Sequence, residues 1–144
     1  MDTLIPQENA ESTIPIRDST DILKARHRAR ELAAALRLGS ADQTRLATAV
    51  SELTRNVLQY AGEGECRIIN ASSDHEVYIQ VVVEDHGPGI PDIELAMRDG
   101  YSTSGGLGAG LPGVQRLMDE FHLTSRPGYT CLMIAMKRPR ALSF

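Results

Sequence analysis

Gly105, Gly106, Leu107, Gly108, Ala109 and Gly110 run straight into Leu111 and Pro112, with Ser102, Thr103 and Ser104 just before them. Each glycine costs folding entropy, so four in six positions need a reason beyond packing; a merely flexible loop is the plain alternative. Pro112 falls in the first turn of the helix that follows, where a missing N–H costs nothing. A glycine-rich loop entering a helix offers free N–H groups and the positive end of the helix dipole, which together cradle an anion. Asp85 ends a run of alternating apolar residues, Val77, Ile79, Val81 and Val83, and shares their parity. Its carboxylate is therefore aimed at the buried side, where it needs donors. Gly87 and Gly89 behind it allow a close approach. Two readings fit: an Asx-type turn that ends the strand, or a carboxylate accepting from a ligand amino group. Glu52 and Asn56 stand four apart, so a helix puts both on one face. That face borders the stripe of Leu46, Val50, Leu53 and Val57, at the lip of a core; an ordinary polar pair would look the same. Thr130 shares parity with Leu132, Ile134 and Met136, so its hydroxyl faces inward near a strand start.

Several chemistries fail on the residues. The glycine loop matches neither GxxxxGK[ST] nor GxGxxG and holds no lysine. His27, His75, His86 and His122 share no metal-ligand spacing, G-x-S-x-G is absent, and Cys66 and Cys131 have no neighbouring base in sequence.

The positioning elements follow from periodicity. Residues 12–18 alternate weakly around Pro15 and predict an edge strand. Apolar residues at 3- and 4-residue spacing predict a helix over 19–38, with Gly39 as its stop. Ser40 and Gln43 resemble a capping box opening a second helix to about residue 61, ended by Gly62 and Gly64. Strands are predicted over 66–71, 77–84, 121–125 and 130–136, a short helix over 92–97, and a helix over about 111–120. Helices thus cover one face of a mixed, mostly antiparallel sheet, an α+β two-layer sandwich.

The chain has 144 residues, which predicts one domain: residues 1–12 disordered, 13–138 the folded unit and 139–144 a tail. That length is too short for a eukaryotic-type protein kinase. The net charge of −4 and 4% aromatic residues argue against nucleic acid as partner. Two cysteines make no disulfide framework and read as reduced thiols of a cytoplasmic protein. Neither a signal peptide nor an apolar run of about 20 residues occurs, so no membrane role is expected.

In this order the pieces resemble the GHKL superfamily of ATP-binding domains, which includes gyrase, Hsp90, histidine kinases and MutL. Glu52-x-x-x-Asn56 resembles its N box, Asp85-x-Gly87-x-Gly89 its first glycine box, and Gly106-x-Gly108-x-Gly110 its second. Thr130 falls where the family has a threonine near adenine. Residues 51–62 and 85–120 are similar to the RsbT-type switch kinases of bacterial stressosomes; anti-sigma factor kinases are relatives. Tyr129 departs from the pattern, standing where the family has a glycine.

The resemblance implies a Bergerat-type fold that binds ATP and Mg²⁺. Asp85 would accept from the adenine amino group, with Gly87, Gly89 and Thr130 around the base. Asn56 would hold Mg²⁺, residues 102–111 the phosphates, and Glu52 would be the general base. The implied activity is a serine/threonine-protein kinase acting on STAS-domain stressosome proteins. It would then switch partners to a downstream phosphatase or cyclase-type output protein. A nucleotide-gated binding module of the anti-sigma type with little catalysis is the alternative; a free ATPase is a third reading, disfavoured by the short lid and the lack of a transducer domain.

Overall fold

The computed structural model describes residues 10–98 and 110–140. Two helices, α1 (Ser19–Ala35) and α2 (Ser40–Tyr60), separate β1 (Ala10–Ile16) from β2 (Gly64–Asn70). The chain then gives β3 (Glu76–Asp85), α3 (Ile93–Ala96), α4 (Gly110–Leu117), β4 (Glu120–Arg126) and β5 (Tyr129–Pro139). The sheet order is β1-β2-β3-β5-β4, and each of the four pairings is antiparallel. β1 is the edge strand that Pro15 predicts. It begins at Ala10, so residues 10–12 belong to the sheet and not to a disordered N-terminus.

One face of the sheet is apolar because β3 and β5 alternate. Val77, Ile79, Val81, Val83, Leu132, Ile134 and Met136 are all buried there, against Leu46, Val50, Leu53 and Val57 of α2. Each large side chain so buried contributes about 1.5–3 kcal/mol. α1 meets this layer with Ala25, Ala29 and Ala33, each fully buried. Small residues at a four-residue spacing let the backbones of α1 and α2 come close.

Three helix ends differ from expectation. α1 stops at Ala35, and the left-handed residue behind it is Arg37 (φ 66°), not Gly39. The Arg37 and Leu38 N–H groups return to the Ala34 and Ala33 carbonyls and close the last turn. Gly39 is instead the N-cap of α2, and no side chain caps it. Gln43 does not complete a capping box: its Nε2 donates to the Leu38 carbonyl at 3.0 Å. α4 ends at Leu117, short of Glu120, because Glu120 already pairs with Ala135 in the sheet and accepts from the Tyr78 hydroxyl. Gly62 (φ 84°) ends α2 as expected.

The N-terminus of α2 is tied to the far end of β5. Arg138 donates to both carboxylate oxygens of Asp42, from Nε at 2.9 Å and from Nη2 at 3.0 Å. The Arg138 guanidinium holds the Asp42 carboxyl below its ordinary value.

Candidate active site

The middle of α2 carries polar residues through the core because each has a local partner. Ser51 Oγ donates to the Ala47 carbonyl at 2.9 Å and Thr54 Oγ1 to that of Val50 at 2.8 Å. Glu52 is only 7% exposed, and its Oε1 accepts from Arg55 Nη1 at 2.7 Å. It lines a cleft of about 720 Å³ between α1 and α2, together with Leu23, Arg26, Arg30, Ser51 and Arg55. Asn56 is half-buried one turn farther on, and its side chain has no hydrogen-bond partner among the described residues. That open amide suits a hard cation whose other ligands come from a phosphate chain. Among the described residues no group of three His, Cys, Asp or Glu side chains could hold a metal without such help.

Asp85 closes β3, directly opposite Thr130 at the start of β5. Opposed residues share a face of the sheet. Asp85 Oδ1 accepts from the Gly87 N–H at 3.0 Å, which is the Asx turn. That bond uses one oxygen and leaves Oδ2 for a ligand, so the two readings of this residue are compatible. A Cβ on Gly87 would lie 2.5 Å from Ala61 Cβ, so this glycine lets the Asp85 loop touch the end of α2. Gly89 (φ 88°) lies against the Arg126 carbonyl, where a Cβ would come within 2.5 Å. The motif glycines therefore dock the loop, on α2 through Gly87 and on the β4–β5 hairpin through Gly89.

Thr130 is 5% exposed and its Oγ1 lies 2.8 Å from Ser125 Oγ. Ser125 Oγ also accepts from the Ile90 N–H at 2.7 Å. Sequence reasoning missed Ser125. Its only signal is pairing with Thr130 across the hairpin, which depends on the register.

Tyr129 takes the opposite face from Thr130 by strand alternation. Its hydroxyl donates to Glu84 Oε2 at 2.6 Å, and its ring contacts His86 (5.6 Å) and the Arg126 guanidinium (4.6 Å). Arg67 donates to the other Glu84 oxygen at 2.7 Å. The Tyr129 hydrogen bond, reinforced by Arg67, keeps the Glu84 carboxyl below its ordinary value, and the same bond raises the Tyr129 phenol. Tyr129 thus straps the Asp85 loop from the face opposite Thr130.

Gly110 (φ 69°) opens α4, and Leu111 behind it is buried. Ser102, Thr103, Ser104, Gly105, Gly106, Leu107, Gly108 and Ala109 lie outside the described residues. Burial pushes the Cys66 thiol up to about 12, which keeps it protonated and unreactive.

Helical geometry orders these parts along α2. Glu52 to Asn56 is about 6 Å of rise and Asn56 to Ala61 about 7.5 Å more. Ala61 is where Gly87 docks. Glu52, Asn56 and the Asp85 loop therefore follow one another along one helix.

Residues 17–136 match the family model described as the histidine kinase-like ATPase domain. The chain belongs to the histidine kinase-like ATPase family. Within it, the chain is 50% identical over 120 residues to the serine/threonine-protein kinase RsbT of Bacillus subtilis, covering 83% of this chain and 90% of that protein. The chain is thus an RsbT-group member of the histidine kinase-like ATPase family, and a nucleotide-binding domain. It is also 36% identical over 87 residues to the anti-sigma F factor of Caldanaerobacter subterraneus subsp. tengcongensis, spanning 59% of that protein. Solved structures share the fold. The RsbU and RsbW domains of Rv1364c from Mycobacterium tuberculosis superpose with a TM-score of 0.63 at 16% identity, over 96% of this chain and 35% of that one. The SiaB-SiaC complex from Pseudomonas aeruginosa gives 0.57 at 14% identity, over 90% and 89%. Among the described residues no helix of this histidine kinase-like ATPase is long and apolar enough to cross a membrane.

Proposed function

We propose that this protein transfers the γ-phosphoryl group of ATP to a Ser or Thr hydroxyl of a STAS-domain scaffold protein. It then switches to a downstream phosphatase or cyclase-type output protein. The observation that carries the reading is the linear order along α2: a buried carboxylate on an open cleft at Glu52, an amide at Asn56 with no hydrogen-bond partner among the described residues, and the Asp85–Thr130 pair beyond Ala61. A nucleotide lying along that line has its base at Asp85 and its phosphates at Asn56. Identity to a protein named as a serine/threonine kinase supports the same chemistry.

Asp85 Oδ2 accepts from the adenine amino group, with Thr130, Gly87 and Gly89 shaping the surroundings. The α4 N-terminus at Gly110 and Leu111 meets the phosphates. Asn56 holds Mg²⁺, which when bound neutralises phosphate charge. The acceptor hydroxyl oxygen attacks the γ-phosphorus, the bond to the β-phosphate oxygen breaks, ADP leaves, and the hydroxyl proton passes to Glu52. Positioning and charge neutralisation supply most of the acceleration; a placed base adds roughly 10²–10⁴.

The test is transfer from γ-labelled ATP to a STAS-domain protein encoded in the same genome, with Glu52→Ala alongside. Label on acceptor Ser or Thr that disappears with Glu52→Ala, while Mg²⁺–ATP still binds, is the expected result. Normal transfer by Glu52→Ala would remove the base. The 36% identity to an anti-sigma F factor favours one other reading, a nucleotide-gated binding module. Saturable Mg²⁺–ATP binding without transfer by the unaltered protein would establish that instead.

A further inference from the structure

The closest charged contact of Glu52 is a residue that none of the motifs singles out. Arg55 Nη1 stands 2.7 Å from Glu52 Oε1, three positions along the same helix. The two side chains differ in environment: that of Glu52 is 9% exposed and that of Arg55 is 40% exposed. An ordinary surface ion pair is open at both ends and contributes little. Here one end is a nearly enclosed carboxylate and the other reaches the α1–α2 cleft that both residues line. A guanidinium carries five N–H donors in a rigid fork. One of them is committed to Oε1, and the remainder belong to a group with access to the cleft. The other carboxylate oxygen, Oε2, has no partner among the described residues.

A general base must present a lone pair within a few tenths of an ångström of its working position. Glu has three side-chain torsions, and among the described residues Arg55 supplies the hydrogen bond that fixes this one. We propose that Arg55 is the positioning residue of the transfer reaction. It pins Oε1 so that Oε2 is the oxygen that takes the acceptor proton, and its remaining N–H groups meet the acceptor chain beside the reacting hydroxyl. The proposal rests on Glu52 being the base.

The experiment measures steady-state transfer to the same STAS-domain protein for the unaltered chain, Arg55→Ala and Arg55→Lys, with Mg²⁺–ATP affinity measured separately. Arg55→Ala is expected to lower kcat by about tenfold or more, a share of what a placed base supplies. Mg²⁺–ATP affinity is expected to stay within twofold, which also shows that the variant is folded. Because Arg55 reaches solvent, guanidinium ion at non-denaturing concentration should restore part of the lost rate in Arg55→Ala and none in Glu52→Ala. Arg55→Lys should fall between the two, since an ammonium keeps the charge and loses the fork. An unchanged kcat in Arg55→Ala overturns the proposal. So does a loss that guanidinium leaves untouched and that weakens Mg²⁺–ATP equally, the signature of a purely structural ion pair. Transfer by the unaltered chain together with normal transfer by Glu52→Ala would instead remove the base assignment, and the proposal with it. Absence of any transfer by the unaltered chain removes the kinase reading itself.

Discussion

Asp85 has two oxygens. Oδ1 holds the turn through the Gly87 N–H, and the proposed function gives Oδ2 to the ligand. Asp85→Asn keeps a turn acceptor but replaces the charged acceptor opposite an amino group. A hydrogen bond to a charged partner is worth about 1.5–3 kcal/mol, so Mg²⁺–ATP affinity should drop roughly tenfold or more. Tripolyphosphate with Mg²⁺, which has no adenine, should bind the variant and the unaltered protein alike. Equal losses for both ligands in calorimetry would take the adenine from Asp85. Residue type and spacing marked Asp85, Glu52, Asn56 and Thr130 as candidates, and the roles proposed for them come from the resemblance. Ser125 and Arg55 were not legible in the same way. Ser125 acquires meaning only through its register opposite Thr130. Arg55 sits beside Asn56 in an exposed-looking helical position, and its value comes from the burial of Glu52.

At the scale of elements, the strands were readable because a sheet buried on one side forces a period of two. β3 and β5 follow that rule through Val77–Val83 and Leu132–Met136. Helix ends were less readable, since a cap depends on competition among local donors. Gln43 prefers the Leu38 carbonyl to a capping box, and Arg37 takes a left-handed turn ahead of the glycine. The α2–β5 clasp between Asp42 and Arg138 spans 96 positions and has no local signature. It does have a pH signature. The carboxyl is held below 3.8 in the folded chain by Arg138, so the folded state binds its proton less readily than the unfolded one. The stability it contributes is present above about pH 3.8 and is lost as pH falls through the lower folded value. Asp42→Asn should therefore cost about 1 kcal/mol at neutral pH. Urea unfolding should show the gap to the unaltered protein closing below pH 3.8. A gap that stays constant with pH would mean that the charge of Asp42 is not what matters.

For the whole molecule, the candidate site joins α2 to the β3 and β5 ends, so a ligand there should stabilise the entire unit. Mg²⁺–ATP at a hundredfold excess over its Kd adds about 2.7 kcal/mol. For a chain of this size that corresponds to a rise in Tm of about 5–10 °C. The unaltered protein should show that rise in a thermal melt, and Asp85→Asn at the same concentration should show much less. A full shift in the variant would place the nucleotide elsewhere.

The insertion of α1 and α2 between β1 and β2 also bears on how the protein comes into being. The two helices touch through neighbouring stretches of chain, and such local contacts form early. The Asp85–Thr130 pair needs β3 and β5 joined across α3, α4 and β4, a non-local closure that comes later. A chain still emerging from the ribosome presents Glu52 and Asn56 long before it has Thr130. If the nucleotide lies where the proposed function puts it, none can be held at that stage, and phosphoryl transfer arrives only with the completed sheet.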